Sequence, residues 1–126
     1  DEMASILVVD DERDVVTLIK FLLEKDGHTV STAYNGAEAL EMLFAAAPKP
    51  DLVILDVMMP QVDGYTASRK LADNPATRPV PIIILTAKGQ MKDLFDSSPN
   101  VASYVEKPFD PKTLRETVKT ILAKKK

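Results

Sequence analysis

Asp51-Leu52-Val53-Ile54-Leu55-Asp56 sets four consecutive apolar residues between two acids. A strand with one wet face would alternate apolar and polar side chains, so an unbroken run this short belongs to a strand covered on both faces. Ser5-Ile6-Leu7-Val8-Val9 and Ile82-Ile83-Ile84-Leu85 repeat the pattern. Thr29-Val30-Ser31-Thr32-Ala33 alternates and suits a sheet edge, and Ala102-Ser103-Tyr104-Val105 completes the set of strands. Helix-period segments lie between them. Val15, Leu18, Ile19 and Leu22 recur at i, i+3, i+4 and i+7, and Leu114, Val118, Ile121 and Leu122 at i, i+4, i+7 and i+8, each set making one buried stripe. Strands alternating with helices predict an α/β fold, a doubly wound (βα)5 unit with a five-stranded parallel sheet.

Boundary signals agree with this division. Gly27 is placed to end the first helix, Asn35 followed by Glu38 reads as a capping box, and Asp110-Pro111 supplies an N-cap and a first-turn proline. The fourth helical segment is the weakest. From Gly89 to Asp96 only Met91, Leu94 and Phe95 are apolar, and Ser97-Ser98-Pro99-Asn100 stops any helix there, so a short or irregular helix is expected.

The 126 residues, 45% apolar and 28% charged, amount to one domain over 1–126, with a radius of gyration of roughly 14 Å. Net charge is −3, but it is unevenly spread. Residues 1–63 hold 13 acidic and 4 basic side chains, whereas residues 64–126 hold 6 acidic and 12 basic. An acidic first half argues against direct nucleic-acid binding by this domain, because phosphate backbones are held by basic surface. The longest apolar run is the six residues Met42–Ala47, far short of the roughly 20 that a spanning helix needs, so no membrane insertion is expected. No basic region followed by an apolar stretch opens the sequence, and a cytoplasmic location is the expectation. Without cysteine there are no disulfides and no thiolate metal sites.

In doubly wound sheets ligands bind beyond the carboxyl ends of the strands. There the sequence places Asp10-Asp11 after the first strand, Asp56 after the third, Thr86 after the fourth and Lys107 after the fifth. One polar residue at a strand end merely meets water. Acids, a hydroxyl and an ammonium together on one rim point to chemistry, since converging carboxylates either take up protons or hold a cation. Oxygen ligands select magnesium or manganese. Zinc has no support, as the single histidine, His28, precedes an edge strand and is expected at the surface. A divalent cation beside a carboxylate and a lysine is equipment for phosphoryl transfer, in which the carboxylate itself can be the nucleophile and become an acyl phosphate. Gly27, Gly36, Gly64 and Gly89 form neither a dinucleotide fingerprint nor a P-loop, and no nucleophile elbow is present.

These residues resemble the receiver domain of two-component response regulators from about Ser5 to Leu122. The resemblance rests on Val8-Val9-Asp10-Asp11-Glu12, on Asp51 through Pro60 running on to Asp63-Gly64, on Leu85-Thr86-Ala87, and on Tyr104-Val105-Glu106-Lys107-Pro108-Phe109. It implies a flavodoxin-like fold with strand order 2-1-3-4-5, an order that general accounts of doubly wound sheets already illustrate with a receiver. It also implies that Asp56 accepts a phosphoryl group from a phosphohistidine on a sensor histidine kinase or phosphotransfer protein. Asp11, Asp56 and the backbone carbonyl of Met58 would hold magnesium or manganese, with Asp10 acting largely through water. Lys107 would pair with Asp56 and later with the phosphoryl oxygens, and its bond to Pro108 would be cis. Thr86 would turn its hydroxyl onto the new group, small Ala87 would leave the approach open, and Tyr104 would rotate into the space Thr86 vacates. The face made by the fourth helix, fifth strand and fifth helix would then change partners, which would be a downstream effector, a fused output domain or, on phosphorylation, a second copy.

By the same resemblance the domain is a switch that promotes its own phosphorylation and dephosphorylation rather than a turnover enzyme. The stretch Asn100-Val101-Ala102-Ser103-Tyr104 departs from the usual pattern before the lysine, and the Thr86–Lys107 span is about one residue short of the usual one. Two other readings stand beside the switch. One is a receiver-like interaction module that signals without phosphorylation, suggested by the irregular fourth helix. The other is a magnesium-dependent phosphohydrolase with Asp56 as nucleophile, in which Met58 occupies the position of the second acid.

Overall fold

The computed structural model describes residues 4–57, 63–87 and 99–125. Five parallel strands, β1 (Ser5–Val9), β2 (Thr29–Ala33), β3 (Leu52–Asp56), β4 (Ile82–Ala87) and β5 (Val101–Lys107), form one sheet in the order β2-β1-β3-β4-β5. Helices α1 (Arg13–Lys25), α2 (Gly36–Ala45), α3 (Gly64–Asp73) and α4 (Pro111–Lys125) are joined to it. The helical segment expected over Gly89–Asp96 lies outside the described residues.

Strand alternation divides the core in two. Leu7, Val9, Val53, Leu55, Ile82 and Ile84 face Ala39, Leu40 and Leu43 of α2 and Ala67 and Leu71 of α3. Ile6, Val8, Leu52, Ile54, Ile83 and Leu85 face Val16, Ile19 and Leu23 of α1 and Leu114 and Val118 of α4. Because both faces are covered, β1, β3 and β4 carry apolar residues at successive positions. Each such side chain, fully buried, contributes about 1.5–3 kcal/mol of transfer free energy.

The helix ends follow local chemistry. At the end of α1, Gly27 takes φ 97°. Its N–H bonds the Glu24 carbonyl at 3.0 Å, and the His28 N–H bonds that of Leu23 at 3.1 Å. That pairing closes the last turn, and the left-handed residue between costs glycine no Cβ clash. Asn35 caps α2 by accepting from Glu38 N at 2.7 Å, but the return bond from the Glu38 carboxylate goes to Tyr34 N at 2.8 Å rather than to the cap residue. Asp110 accepts the Leu114 N–H at its carbonyl, 3.0 Å, and the Thr113 hydroxyl at its carboxylate, 3.1 Å, at the start of α4.

Three strand ends differ from the sequence expectation. Thr86 and Lys107 lie inside β4 and β5 rather than after them, because the ladder continues through Thr86↔Glu106 and Ala87↔Lys107; Asp56 likewise ends β3, paired with Leu85. The rim side chains therefore stand on hydrogen-bonded backbone. His28, expected at the surface, is half-buried, its Nδ1 accepting from Ala4 N at 3.2 Å.

Candidate functional site

At the carboxyl edge of the sheet, β1 and β3 are direct neighbours, so the residues at their ends meet. Asp10 continues β1, Asp11 follows it, and Asp56 ends β3. One oxygen from each carboxylate lies within 4.8 Å of the others. Asp10 is fully buried, Asp56 is 5% exposed and Asp11 faces solvent. Lys107 arrives from the far edge strand β5 and meets two of them, its Nζ standing 2.7 Å from Asp10 Oδ2 and 3.2 Å from Asp56 Oδ1.

Strand parity explains the grouping. Ile54, Val8 and Val105 belong to the α1/α4 side of the core, and Asp56, Asp10 and Lys107 each stand two positions further along the same strand direction. Thr86 stands two positions after Ile84, on the parity of the α2/α3 side, where Tyr104 packs half-buried against the core. Thr86 is itself buried, at 5% exposure.

Taking like charges out of water has a cost that shifts their pKa values. Burial first, and the charge of Asp10 second, push the Asp56 carboxyl up to about 6, while Lys107 pulls the other way. Burial likewise raises Asp10 against the opposing hydrogen bond from Lys107. For Lys107, burial alone would depress the ammonium, but the hydrogen bond to Asp10 and the charges of Asp56 and Asp10 hold it above the ordinary lysine range. Asp10 Oδ1 accepts from Glu12 N at 2.9 Å. Asp10 Oδ2 is buried, with the Lys107 ammonium 2.7 Å away as its charge partner.

Two supporting residues were quoted in the sequence without a role. Asp63 caps α3 by accepting from Thr66 N at 2.7 Å. Gly64 then donates its N–H to the Val57 carbonyl at 2.9 Å, and a Cβ at Gly64 would overlap the Asp56 carbonyl oxygen. The Asp-Gly pair following an acid-ended strand was the available signal. Met58 lies outside the described residues. The Lys107-Pro108 peptide bond is cis, as is Ala47-Pro48.

This geometry coincides with a match of residues 6–119 to the response regulator receiver domain family. The chain belongs to that family. As a receiver it is a phosphoacceptor signalling module of two-component systems. It is 37% identical over 122 residues to the protein PilH of Pseudomonas aeruginosa, covering 96% of this chain and 99% of PilH. It is 42% identical over 118 residues to the alkaline phosphatase synthesis transcriptional regulatory protein PhoP of Bacillus subtilis, covering 93% of this chain and 48% of PhoP. The receiver thus spans nearly all of one relative and about half of the other. Among solved structures, the Vibrio cholerae chemotaxis response regulator CheY4 superposes with a TM-score of 0.87 at 29% identity, covering 95% of this chain and 99% of CheY4. A response regulator from Chloroflexus aurantiacus gives 0.86 at 34%, covering 97% and 99%.

Proposed function

We propose that Asp56 is the phosphoacceptor and that Lys107, Asp10 and Asp11 set its charge environment. The observation that carries this is the position of the Asp56 carboxylate, buried at a strand end, 3.2 Å from a lysine ammonium and beside two further acids. An oxygen of Asp56 bonds to phosphorus as the P–N bond of a phosphohistidine breaks, and the imidazole leaves with the electron pair. Lys107 already lies where charge develops on the transferred oxygens, so it needs no reorganisation to stabilise them.

The acids fit a hard divalent cation. The oxygens of three carboxylates converge, two of them on buried side chains, a donor set that suits magnesium or manganese. Asp11, Asp56 and the Met58 carbonyl would hold the ion, with Asp10 acting largely through water. When bound, it neutralises charge on the phosphoryl oxygens. A proton, for which Asp56 has a raised affinity, competes with the ion for that carboxylate less as pH rises.

Phosphorylation replaces one carboxylate charge with a group of about −1.5 to −2 and strong acceptor oxygens. Thr86, one strand away and buried, is the hydroxyl drawn toward it, and Tyr104 on the same side of β5 is the side chain that refills the space. This biases the face that includes β5 and α4 between two packings. The source of phosphoryl groups is a sensor histidine kinase or phosphotransfer protein, and the output is an effector or a fused output domain. The domain spans 1–126 and acts in the cytoplasm; no helix of the described residues is long and apolar enough to cross a membrane. Turnover of external phosphate esters is disfavoured because Met58 supplies no general acid.

The test is to incubate the protein with magnesium and acetyl phosphate and weigh it intact. A gain of one phosphoryl mass that Asp56→Asn abolishes is the expected result. No gain, or an equal gain in the variant, overturns the assignment.

A further inference from the structure

Glu12 stands beside the acid cluster in none of the roles above. It is the N-cap of α1, yet its side chain makes no capping hydrogen bond, and glutamate is not among the residue types that capping favours. Its backbone does that work instead, accepting from Val15 N at 3.0 Å and Val16 N at 3.2 Å, while its own N–H is held by Asp10 Oδ1 at 2.9 Å. The backbone is pinned from both sides and the carboxylate is left for something else. It reaches Lys107, with Oε1 3.3 Å from Nζ. Of the acids paired with Lys107, Glu12 is the outermost: its side chain is 63% exposed, against 6% for Asp56 and 0% for Asp10.

We propose that Glu12 is a positioning residue that holds the Lys107 ammonium toward the mouth of the acid cluster and makes the site discriminate between phosphodonors by their charge. This rests on Asp56 being the phosphoacceptor. Because Asp56 is buried, an anionic donor approaches from solvent and meets the Glu12 charge on its way to the same ammonium. Competition for Lys107 and repulsion of the donor act in the same direction, and the repulsion scales with donor charge. In the reaction, an Asp56 oxygen bonds to phosphorus as the P–O bond of acetyl phosphate breaks, and acetate leaves as the anion with the electron pair. With phosphoramidate, already protonated on nitrogen, the P–N bond breaks and ammonia leaves. The first donor carries two negative charges near neutral pH and the second a net single charge.

The experiment measures phosphorylation rates with both donors at saturating magnesium, by quenching and intact mass, for wild type, Glu12→Gln, Glu12→Asp and Asp56→Asn. Removing the charge in Glu12→Gln should raise the rate with acetyl phosphate roughly three- to tenfold, and with phosphoramidate by about the square root of that factor, since the Coulomb energy is linear in donor charge. The gap should close at about 1 M salt, where the screening length falls to about 3 Å. Glu12→Asp, which keeps the charge at the mouth, should retain the wild-type preference between donors. A role confined to helix stability would alter both donors alike. Equal fold-changes for the two donors, or a Glu12→Asp preference that matches Glu12→Gln, would overturn the proposal. Absence of any mass gain in wild type, or its survival in Asp56→Asn, would instead overturn the phosphoacceptor reading.

Discussion

The ammonium of Lys107 lies 2.7 Å from Oδ2 of Asp10, a side chain with no solvent exposure. The two residues come from opposite ends of the chain, one just past β1 and the other at the end of β5, and those strands are not neighbours. Their contact spans the ends of β3 and β4, and Asp56 at the end of β3 lies 3.2 Å from the same nitrogen. One cation thus holds together two buried carboxylates that would otherwise repel.

Replacing Lys107 with alanine removes that cation. Breaking a buried ion pair typically costs about 3 kcal/mol, because a charge is left without a partner. Here the charges can also be quenched by protonation, so the loss should depend on pH. Without Lys107 the Asp56 carboxyl should rise above about 6, and metal-free Lys107→Ala should lose stability steeply as pH rises through that range. Urea unfolding at pH 5 and pH 8 measures it; equal pH slopes in variant and wild type would contradict the pairing. The fold should survive, while phosphorylation no longer changes partner binding.

Asp56 gives the complementary prediction. Its folded carboxyl is raised from 3.8 to about 6, so the native state binds this proton more tightly than the unfolded chain does. Stability from this group is therefore fully present below about pH 4 and is lost as pH rises toward 6 and beyond. Asp56→Asn, which has no charge to bury, should stabilise the metal-free protein by about 1–3 kcal/mol at pH 7.5. The difference should vanish near pH 4. Calorimetric melts of both proteins across that range provide the check, and an Asn variant less stable than wild type at pH 7.5 would contradict burial as the main cause.

Legibility in the sequence followed the strength of the physical signal. Leu52-Val53-Ile54-Leu55 announced a doubly covered strand because burial on both faces leaves no room for polar residues. The acids at strand ends announced the rim. What stayed hidden depended on pairing between distant segments. Thr86 and Lys107 read as residues beyond their strands, because nothing local shows that the β4–β5 ladder runs on to Ala87↔Lys107. The Asn35–Glu38 capping pair was legible and half of it forms, with Asn35 accepting from Glu38 N, but the Glu38 carboxylate accepts from Tyr34 N, one residue before the cap, and nothing local decides between those two donors. Glu12 was visible in Asp10-Asp11-Glu12, yet its contact with a residue 95 positions away is a tertiary fact.

Asp11 is the exposed member of the acid triplet, so its removal should cost metal affinity more than stability. In Asp11→Ala, magnesium affinity should fall at least tenfold, since one of few charged ligands is lost. The metal-free melting temperature should stay within a few degrees of wild type. Isothermal titration with magnesium, beside a melt in chelator, separates the two; unchanged affinity would remove Asp11 from the ligand set.

Gly64 tests whether the site depends on the turn that follows β3. Its position beneath the Asp56 carbonyl leaves no space for a Cβ, whose nearest neighbours would be backbone atoms of Asp56 and Val57 rather than a flexible side chain. Backbone cannot rotate away, so Gly64→Ala must displace either the start of α3 or the end of β3. Overpacking of this kind costs about 1–3 kcal/mol. A shift of the β3 end would move the proposed phosphoacceptor, which pairs with Leu85 and whose next residue, Val57, accepts the Gly64 N–H at its carbonyl. Phosphorylation by acetyl phosphate should therefore slow in Gly64→Ala even at temperatures where the variant is fully folded. Asp63→Ala removes the α3 cap without adding volume, and it should lose about 1 kcal/mol of stability while keeping the wild-type phosphorylation rate. Should both variants slow phosphorylation equally, helix anchoring rather than the close approach at Gly64 would be what positions Asp56.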